Sequence, residues 1–325
     1  MFYRLLLGAF LLATAQTPDS APPMPAPGKM IDVGGWRLHL NCTGQAKAGQ
    51  ATVILEAGAG GFSVDWSLLQ PRIAAFARVC SYDRAGLGWS EQGPHPRTLH
   101  QVIWELHTLL EKGKLPPPYV LVGHSAGGVL GRLYTFTYPA DVRGMVLVDS
   151  GFETGVMILN DGKLVRLTDT ATGRPVPAVK TSGPLRDDQI PPNVRAQIEA
   201  SALQMVPHAT EPPYDKLPAD AQRMRAWAFG QVKHWATNDN PFEGEELASL
   251  AAELKKPYRL GDLPLIVVSR GLDPDDEHSR NQTALVGLSR RGKQVIAKRS
   301  VHEVMITEPD VVAQAVQDVL TASRK

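Results

Sequence analysis

A serine flanked by glycines stands at the centre of the stretch YVLVGHSAGGVLGRLY, residues 119–134. Gly123, Ser125 and Gly127 match the pattern Gly-x-Ser-x-Gly, with an apolar run before it and helical spacing after it. In that context a sharp strand-to-helix turn presents the serine hydroxyl to solvent, where it can attack a carbonyl carbon. We therefore predict that Ser125 is a nucleophile, and a small residue in an ordinary turn is the alternative.

A serine nucleophile needs a histidine base and an acid that orients the histidine. A nucleophile on such a turn predicts the chain order serine, acid, histidine. His302 is the last histidine of the chain and lies between the last predicted strand and the last predicted helix. Asp273, after the strand-like run LPLIVVS, is the predicted acid. Asp149, at the end of GMVLVDS, is its main rival, and Asp275 and Asp276 are close enough to compete.

Strand-like and helix-like segments alternate through residues 29–150 and again through residues 262–325. This alternation predicts an α/β fold with a mostly parallel central sheet that is flanked by helices. The ends of parallel strands open on one edge of the sheet, so the residues that follow those strands can meet there. Residues 151–261 break the rhythm with Pro-rich pieces and three helical stretches, and we predict a cap inserted between two core strands.

The N-terminus differs from the rest of the chain. Arg4 precedes an apolar stretch that ends in Ala13-Thr14-Ala15, which predicts a signal peptide over residues 1–15 with cleavage after Ala15. An uncleaved N-terminal tether is the alternative. The Pro- and Ala-rich residues 16–28 are typical of a disordered spacer. We expect a secreted or periplasmic protein with no stable membrane insertion once the signal is removed.

Composition narrows the possible partners. Among the 325 residues, 34 Lys and Arg nearly balance 33 Asp and Glu, so no basic surface for nucleic acid is indicated. No pair of CxxC motifs and no HExxH motif is present, and no cofactor is expected. A small ester or amide is the expected partner, and the oligomeric state is left open.

The segments GHSAGG, LEAGAGG, SYDRAGLGWS and SVHEVMITEPDVV together resemble the α/β-hydrolase fold family, in particular its capped, esterase-like serine hydrolases. The resemblance covers the chain from about Lys29 to the C-terminus, with the cap matched only by position. It implies an oxyanion hole made by the backbone N–H groups of Ala59 and Ala126. The loop Gly271-Leu272-Asp273 is one residue shorter than the usual Gly-x-x-Asp, which keeps Asp149 open as the acid.

The same resemblance bears on the two cysteines. In an oxidising compartment Cys42 and Cys80 could form a disulfide, and two buried free thiols are the alternative. The fold places the second strand beside the fourth, which carry Cys42 and Cys80, and so implies that they are paired.

Several other residues near the predicted site are expected to have structural or substrate-contact roles and to take no part in the chemistry. Asp83 and Arg84 are expected to hold the loop beside the site through hydrogen bonds, and His124 to pack or to lie at the edge of the substrate. Three aromatic residues of the predicted cap could line an acyl pocket or could hold the cap on the core: Trp227, Phe229 and Trp235.

The expected reaction is hydrolysis of an ester-type bond through an acyl-enzyme, with a carboxylesterase as the leading interpretation. The alternatives are an aminopeptidase or amidase, a hydrolase of C–C bonds, and a catalytically inactive binding protein. Dehalogenases and epoxide hydrolases of the family that this chain resembles use an aspartate as nucleophile. A serine at this turn therefore argues against these two activities.

Overall fold

The computed structural model describes residues 24–94, 97–151, 156–158, 164–166, 192–236 and 260–324. The strands are Lys29–Asp32 (β1), Arg37–Thr43 (β2), Thr52–Glu56 (β3), Val79–Tyr82 (β4), Tyr119–His124 (β5), Val142–Val148 (β6), Val156–Ile158 (β7), Leu164–Arg166 (β8), Leu265–Arg270 (β9) and Gly292–Ala297 (β10). Eight of them form one sheet in the order β1-β2-β4-β3-β5-β6-β9-β10, and β7 pairs with β8.

The sheet is parallel from β4 to β10, and β2 pairs antiparallel with both β1 and β4. Every residue of β3 and of β5 is buried, because helices cover both faces of the sheet. For that reason these strands are continuous apolar runs and do not alternate with polar residues. The expected α/β class with a mostly parallel sheet is confirmed.

The helices are Gln70–Ala74 (α1), Leu99–Lys112 (α2), Ala126–Thr137 (α3), Pro192–Met205 (α4), Ala219–Phe229 (α5), Val232–Ala236 (α6), Asp276–Val286 (α7), Val304–Thr307 (α8) and Pro309–Ala322 (α9). Apolar residues of α2, α3 and α7 pack on one face of the sheet, and those of α1 and α9 pack on the other. Helix α2 illustrates how the sequence sets a boundary: the Thr98 hydroxyl accepts a hydrogen bond from the Gln101 N–H at 3.1 Å.

The antiparallel edge of the sheet carries the disulfide. In the register of β2 against β4, Cys42 lies directly opposite Cys80, with 4.0 Å between their Cα atoms. The two residues are disulfide-bonded. The pairing that the resemblance implied is thus present.

The predicted signal peptide, residues 1–15, and most of the predicted spacer lie outside the described residues. In the part that is described, no helix has both the length and the apolar character needed to cross a bilayer. Of the predicted cap, residues 151–261, the described portion includes α4, α5 and α6. Arg225 on α5 forms a buried ion pair with Asp65, which lies in the 3-10 turn Ser63–Trp66. The boundaries of the cap stay a prediction.

Candidate active site

Ser125 lies between β5 and α3 and has backbone angles φ 51° and ψ −121°, which a residue with a side chain rarely adopts. Close packing around the turn requires its glycines. A Cβ atom on Gly127 would lie 2.2 Å from the Glu56 carbonyl oxygen, and one on Gly123 would lie 2.5 Å from the Gly127 carbonyl oxygen. The predicted strand-turn-helix context of Ser125 is confirmed, and the half-buried serine is held at the end of β5.

Ser125 and His302 line one cavity of about 230 Å³ at this edge of the sheet. His302 follows β10, and its Nδ1 lies 2.6 Å from Oδ2 of Asp149. Asp149 is the residue directly after β6, and it lines the same cavity. The structure thus brings together a serine, a histidine and an aspartate whose chain order is serine, aspartate, histidine.

The expected pairing of Asp273 with His302 is wrong. Asp273 is exposed, and no hydrogen bond or ion pair of its side chain is found among the described residues. Asp275 instead caps α7 by accepting a hydrogen bond from the His278 N–H at 2.6 Å, and Asp276 is exposed in the first turn of that helix. Asp149 directly follows β6 and is buried beside Arg270 at the end of β9, whereas Asp273 lies three residues beyond β9 and is exposed to solvent.

Asp149 is 1% exposed and is surrounded by donors. Its Oδ1 accepts a hydrogen bond from the Arg270 N–H at 2.9 Å and lies 2.9 Å from His278 Nε2. The Arg270 guanidinium donates to Oδ2 at 3.0 Å. Burial alone would raise the pKa of Asp149, but the contacts with His278, His302 and the Arg270 N–H outweigh it and hold that pKa well below its ordinary value. An ionised Asp149 keeps the proton of His302 on Nδ1, which leaves Nε2 available as a base.

Sequence reasoning missed two contributions to this arrangement. Nothing in the sequence singled out Arg270 or His278 as partners of Asp149, although both flank the aspartates considered for the acid. His124 was expected only to pack or to lie at the edge of the substrate. It is buried, and its Nε2 donates to the His302 backbone carbonyl at 3.0 Å. Burial and the nearby His302 lower the pKa of His124 to about 3, so its ring is neutral and serves as a donor that supports the His302 loop.

The backbone of the elbow presents an N–H group beside the serine hydroxyl. The Ser125 carbonyl accepts hydrogen bonds from the N–H groups of Gly128 at 3.0 Å and Gly151 at 2.9 Å. Because the C=O and N–H of a trans peptide point in opposite directions, these bonds turn the Ala126 N–H away from the helix. Within the described residues, neither this N–H nor that of Ala59 has an acceptor. Both predicted oxyanion-hole N–H groups are therefore free of hydrogen bonds to the described protein and can donate to a substrate oxygen.

Asp83 and Arg84 hold the loops beside the site, as expected. Asp83 accepts hydrogen bonds from the backbone N–H groups of Ser63 at 2.8 Å and Trp89 at 2.9 Å. Arg84 donates to the backbone carbonyls that precede Ala59. Neither side chain is among the residues that line the cavity beside Ser125.

Of the two roles expected for the three aromatic residues of the predicted cap, the described structure shows packing. Trp227 lies against Trp89 with ring centroids 5.4 Å apart, and Trp235 packs edge-on against Phe229 at 5.4 Å. The Trp235 indole N–H also donates to the Phe229 carbonyl at 2.7 Å. None of the three lines the cavity beside Ser125. Among the residues placed by the structure, no group of three or more His, Cys, Asp or Glu side chains is arranged to hold a metal ion.

Comparison with known proteins places these features in a family. The family described as "alpha/beta hydrolase fold" matches residues 51–308 of the chain. YqjL, an uncharacterised protein of Bacillus subtilis strain 168, is 26% identical over 277 residues, which cover 84% of each chain.

Solved structures share the fold at low sequence identity. The enol-lactonase of Burkholderia xenovorans LB400 superposes with a TM-score of 0.62 at 16% identity, covering 90% of this chain and 100% of that one. A meta-cleavage product hydrolase of Pseudomonas fluorescens IP01 superposes with a TM-score of 0.61 at 18% identity, covering 92% of this chain and 99% of that one.

Proposed function

Because this chain belongs to the alpha/beta hydrolase fold family, we propose that it is a serine hydrolase that cleaves carboxylic esters through an acyl-enzyme on Ser125. The observation that carries the proposal is the contact of His302 Nδ1 with the buried carboxylate of Asp149, in a cavity that both residues share with Ser125. Nucleophile, base and orienting acid are the three groups that acyl transfer to water requires.

In the first half of the reaction, Ser125 Oγ attacks the ester carbonyl carbon while His302 Nε2 takes its proton. The imidazolium that forms is stabilised by Asp149, which stays ionised. The negative charge that develops on the carbonyl oxygen is met by the N–H groups of Ala59 and Ala126. In other enzymes, loss of one such donor costs about 2.7–4 kcal/mol of transition-state stabilisation.

Collapse of the tetrahedral intermediate breaks the bond to the alkoxide, which leaves with the proton held on His302 Nε2. The acyl group then remains on Ser125 Oγ. A water molecule attacks the acyl carbon, again giving its proton to His302, and the second collapse returns that proton to Ser125 as the carboxylic acid departs. The chain's own residues account for each proton transfer in this sequence.

Hydrolysis of p-nitrophenyl esters from acetate to palmitate tests the proposal. The mature protein is expected to release p-nitrophenol, and Ser125→Ala and His302→Ala are expected to abolish the release without lowering the thermal unfolding temperature. Labelling of Ser125 by a fluorophosphonate, lost in Ser125→Ala, tests the nucleophile independently of the substrate. Absence of both hydrolysis and labelling would refute the proposal and favour a binding protein.

Hydrolysis of a C–C bond is the second candidate, favoured by the similarity to a meta-cleavage product hydrolase. It would use the same serine, histidine and aspartate, so these residues do not discriminate. A protein that is labelled by fluorophosphonate and does not hydrolyse any ester of the series, but cleaves a meta-cleavage product, would belong to this class.

We also propose that the chain is exported and that its cap, residues 151–261, selects the substrate. The Cys42–Cys80 disulfide supports export, because such bonds persist in oxidising compartments. Mass spectrometry of the protein recovered from outside the cytoplasm should find an N-terminus at Gln16. An intact Met1 on that protein would contradict cleavage.

A further inference from the structure

The loop after β3 makes a tight turn beside the nucleophile. The Gly61 N–H donates to the Gly58 carbonyl at 3.1 Å, and Gly60 has a positive φ of 64°. A Cβ atom on Gly58 would lie only 3.3 Å from the Cβ of Ser125, so this turn and the serine are in near contact. Ala59, the predicted oxyanion-hole donor, lies at the exposed tip of this turn.

A buried arginine holds this turn from the core side. Arg84 is 7% exposed, and its guanidinium donates to the Ala57 carbonyl at 2.7 Å and to the Gly58 carbonyl at 2.5 Å. An ion pair with Glu56, at 2.7 Å, keeps the guanidinium in place. The Gly58 carbonyl and the Ala59 N–H belong to one trans peptide and point in opposite directions. By binding that carbonyl, Arg84 sets the direction of the Ala59 N–H.

A histidine of the predicted cap packs beside the same turn. His234 on α6 is 1% exposed and packs against Phe62 and Phe229, with ring centroids 6.0 Å and 5.0 Å away. Phe62 directly follows Gly61, the last residue of that turn, so this packing places α6 beside the turn. Burial lowers the pKa of His234 to about 3, so the ring stays neutral.

We propose that Arg84 is a positioning residue that directs the Ala59 N–H towards the oxyanion. This inference rests on the proposed function, because it assigns a purpose to the turn only if an oxyanion forms at Ser125.

A second buried pair of the same kind supplies a matched control. Arg97 and Glu105 form an ion pair at 2.6 Å with side chains 2% and 1% exposed, and neither residue lines the cavity beside Ser125. A lysine in place of either arginine keeps the charge but loses the planar fork that binds two acceptors at once. Loss of packing or of a buried hydrogen bond should therefore lower activity in Arg84→Lys and Arg97→Lys alike. A changed direction of the Ala59 N–H should lower activity only in Arg84→Lys.

The test measures kcat and KM for p-nitrophenyl esters, and the inhibition constant of phenylboronic acid, which forms a tetrahedral adduct with an active serine. Arg84→Lys is expected to lower kcat by roughly 10- to 100-fold with KM changed less than about threefold. The affinity for the boronate should fall by a similar factor, since both depend on the oxyanion hole. Arg97→Lys should leave all three constants near those of the wild type.

The thermal unfolding temperatures of Arg84→Lys and Arg97→Lys show whether both variants are folded under the assay conditions. Equal losses in Arg84→Lys and Arg97→Lys would overturn the inference in favour of a merely structural role. A wild-type protein without ester hydrolysis would instead refute the proposed function, and the inference would fall with it.

Discussion

Two aspartates end two parallel strands of the sheet and could each serve as the acid of the site. Asp149 follows β6 and Asp273 follows β9 by three residues, and both have a positive φ, 41° and 49°. Their surroundings differ. Asp149 is buried and lies between two histidines and an arginine, whereas Asp273 is exposed and has no polar partner among the described residues.

The difference shows that burial and partners decide which aspartate can serve, while chain position and backbone conformation do not. An exposed carboxylate is hydrated and screened, so it orients a histidine weakly. A buried carboxylate with donors on both oxygens has one orientation and a field that water does not weaken. Asp149 has both properties because it directly follows the buried end of β6 and because Arg270, at the end of β9, reaches back to it.

The comparison can be tested most sharply by removing each carboxylate in turn. Asp149→Asn should lower kcat by about 10⁴-fold, because the amide no longer keeps the proton of His302 on Nδ1. Asp273→Asn should leave kcat within about twofold of the wild type, as for most exposed substitutions. Steady-state hydrolysis of a p-nitrophenyl ester measures both. The reverse outcome would show that Asp273 is the acid.

A smaller effect is expected from the side chain that supports Asp149. His278→Ala removes the histidine that lies 2.9 Å from Asp149 Oδ1 and should lower kcat/KM roughly tenfold by letting the carboxylate move. Ser279 is an exposed neighbour on α7, and Ser279→Ala, the control, should leave kcat/KM unchanged. If both variants match the wild type, the backbone N–H and guanidinium of Arg270 suffice to hold Asp149.

The depressed pKa of Asp149 predicts how stability depends on pH. Because the pKa is lower in the folded than in the unfolded chain, the ionised carboxylate stabilises the fold above about pH 4, and this contribution is lost as the pH falls further. The difference in the free energy of unfolding between wild type and Asp149→Asn should shrink from about pH 6 to about pH 3. Urea denaturation at a series of pH values measures it, and a difference that stays constant would contradict the linkage.

The smallest effect is expected at the exposed aspartate. Asp273→Gly relieves a positive φ, but glycine also gains freedom in the unfolded chain, so the two contributions nearly cancel. The free energy of unfolding should change by less than about 1 kcal/mol, and ester hydrolysis should be unaffected. A large loss of activity would show that the loop after β9 takes part in the reaction.

Residues whose signal is local were predictable. Ser125 is marked by the glycines that its turn requires, and His302 by its place after the last strand. The helices and strands of the core followed from apolar periodicity, since burial on one face of a helix or both faces of a strand leaves a pattern in the chain. Arg84 was expected to hold a loop, and it does so.

Residues whose role depends on a partner from another element were not predictable. His278 carries no local pattern, and it acquires its role from the fold, which places it beside Asp149. The shortened loop Gly271-Leu272-Asp273 was a warning that the usual position of the acid had changed, but it did not say where the acid had moved.

The sequence by itself determined the α/β class, the turn at Ser125, and the order in which serine, acid and histidine occur along the chain. These depend on short-range sterics and on which residues can be buried. Only the tertiary structure decided that Asp149 and not Asp273 lies against His302, and that α6 reaches the turn at Ala59. Such contacts depend on strand order and on how loops distant in sequence pack, and neither leaves a trace in the spacing of residues.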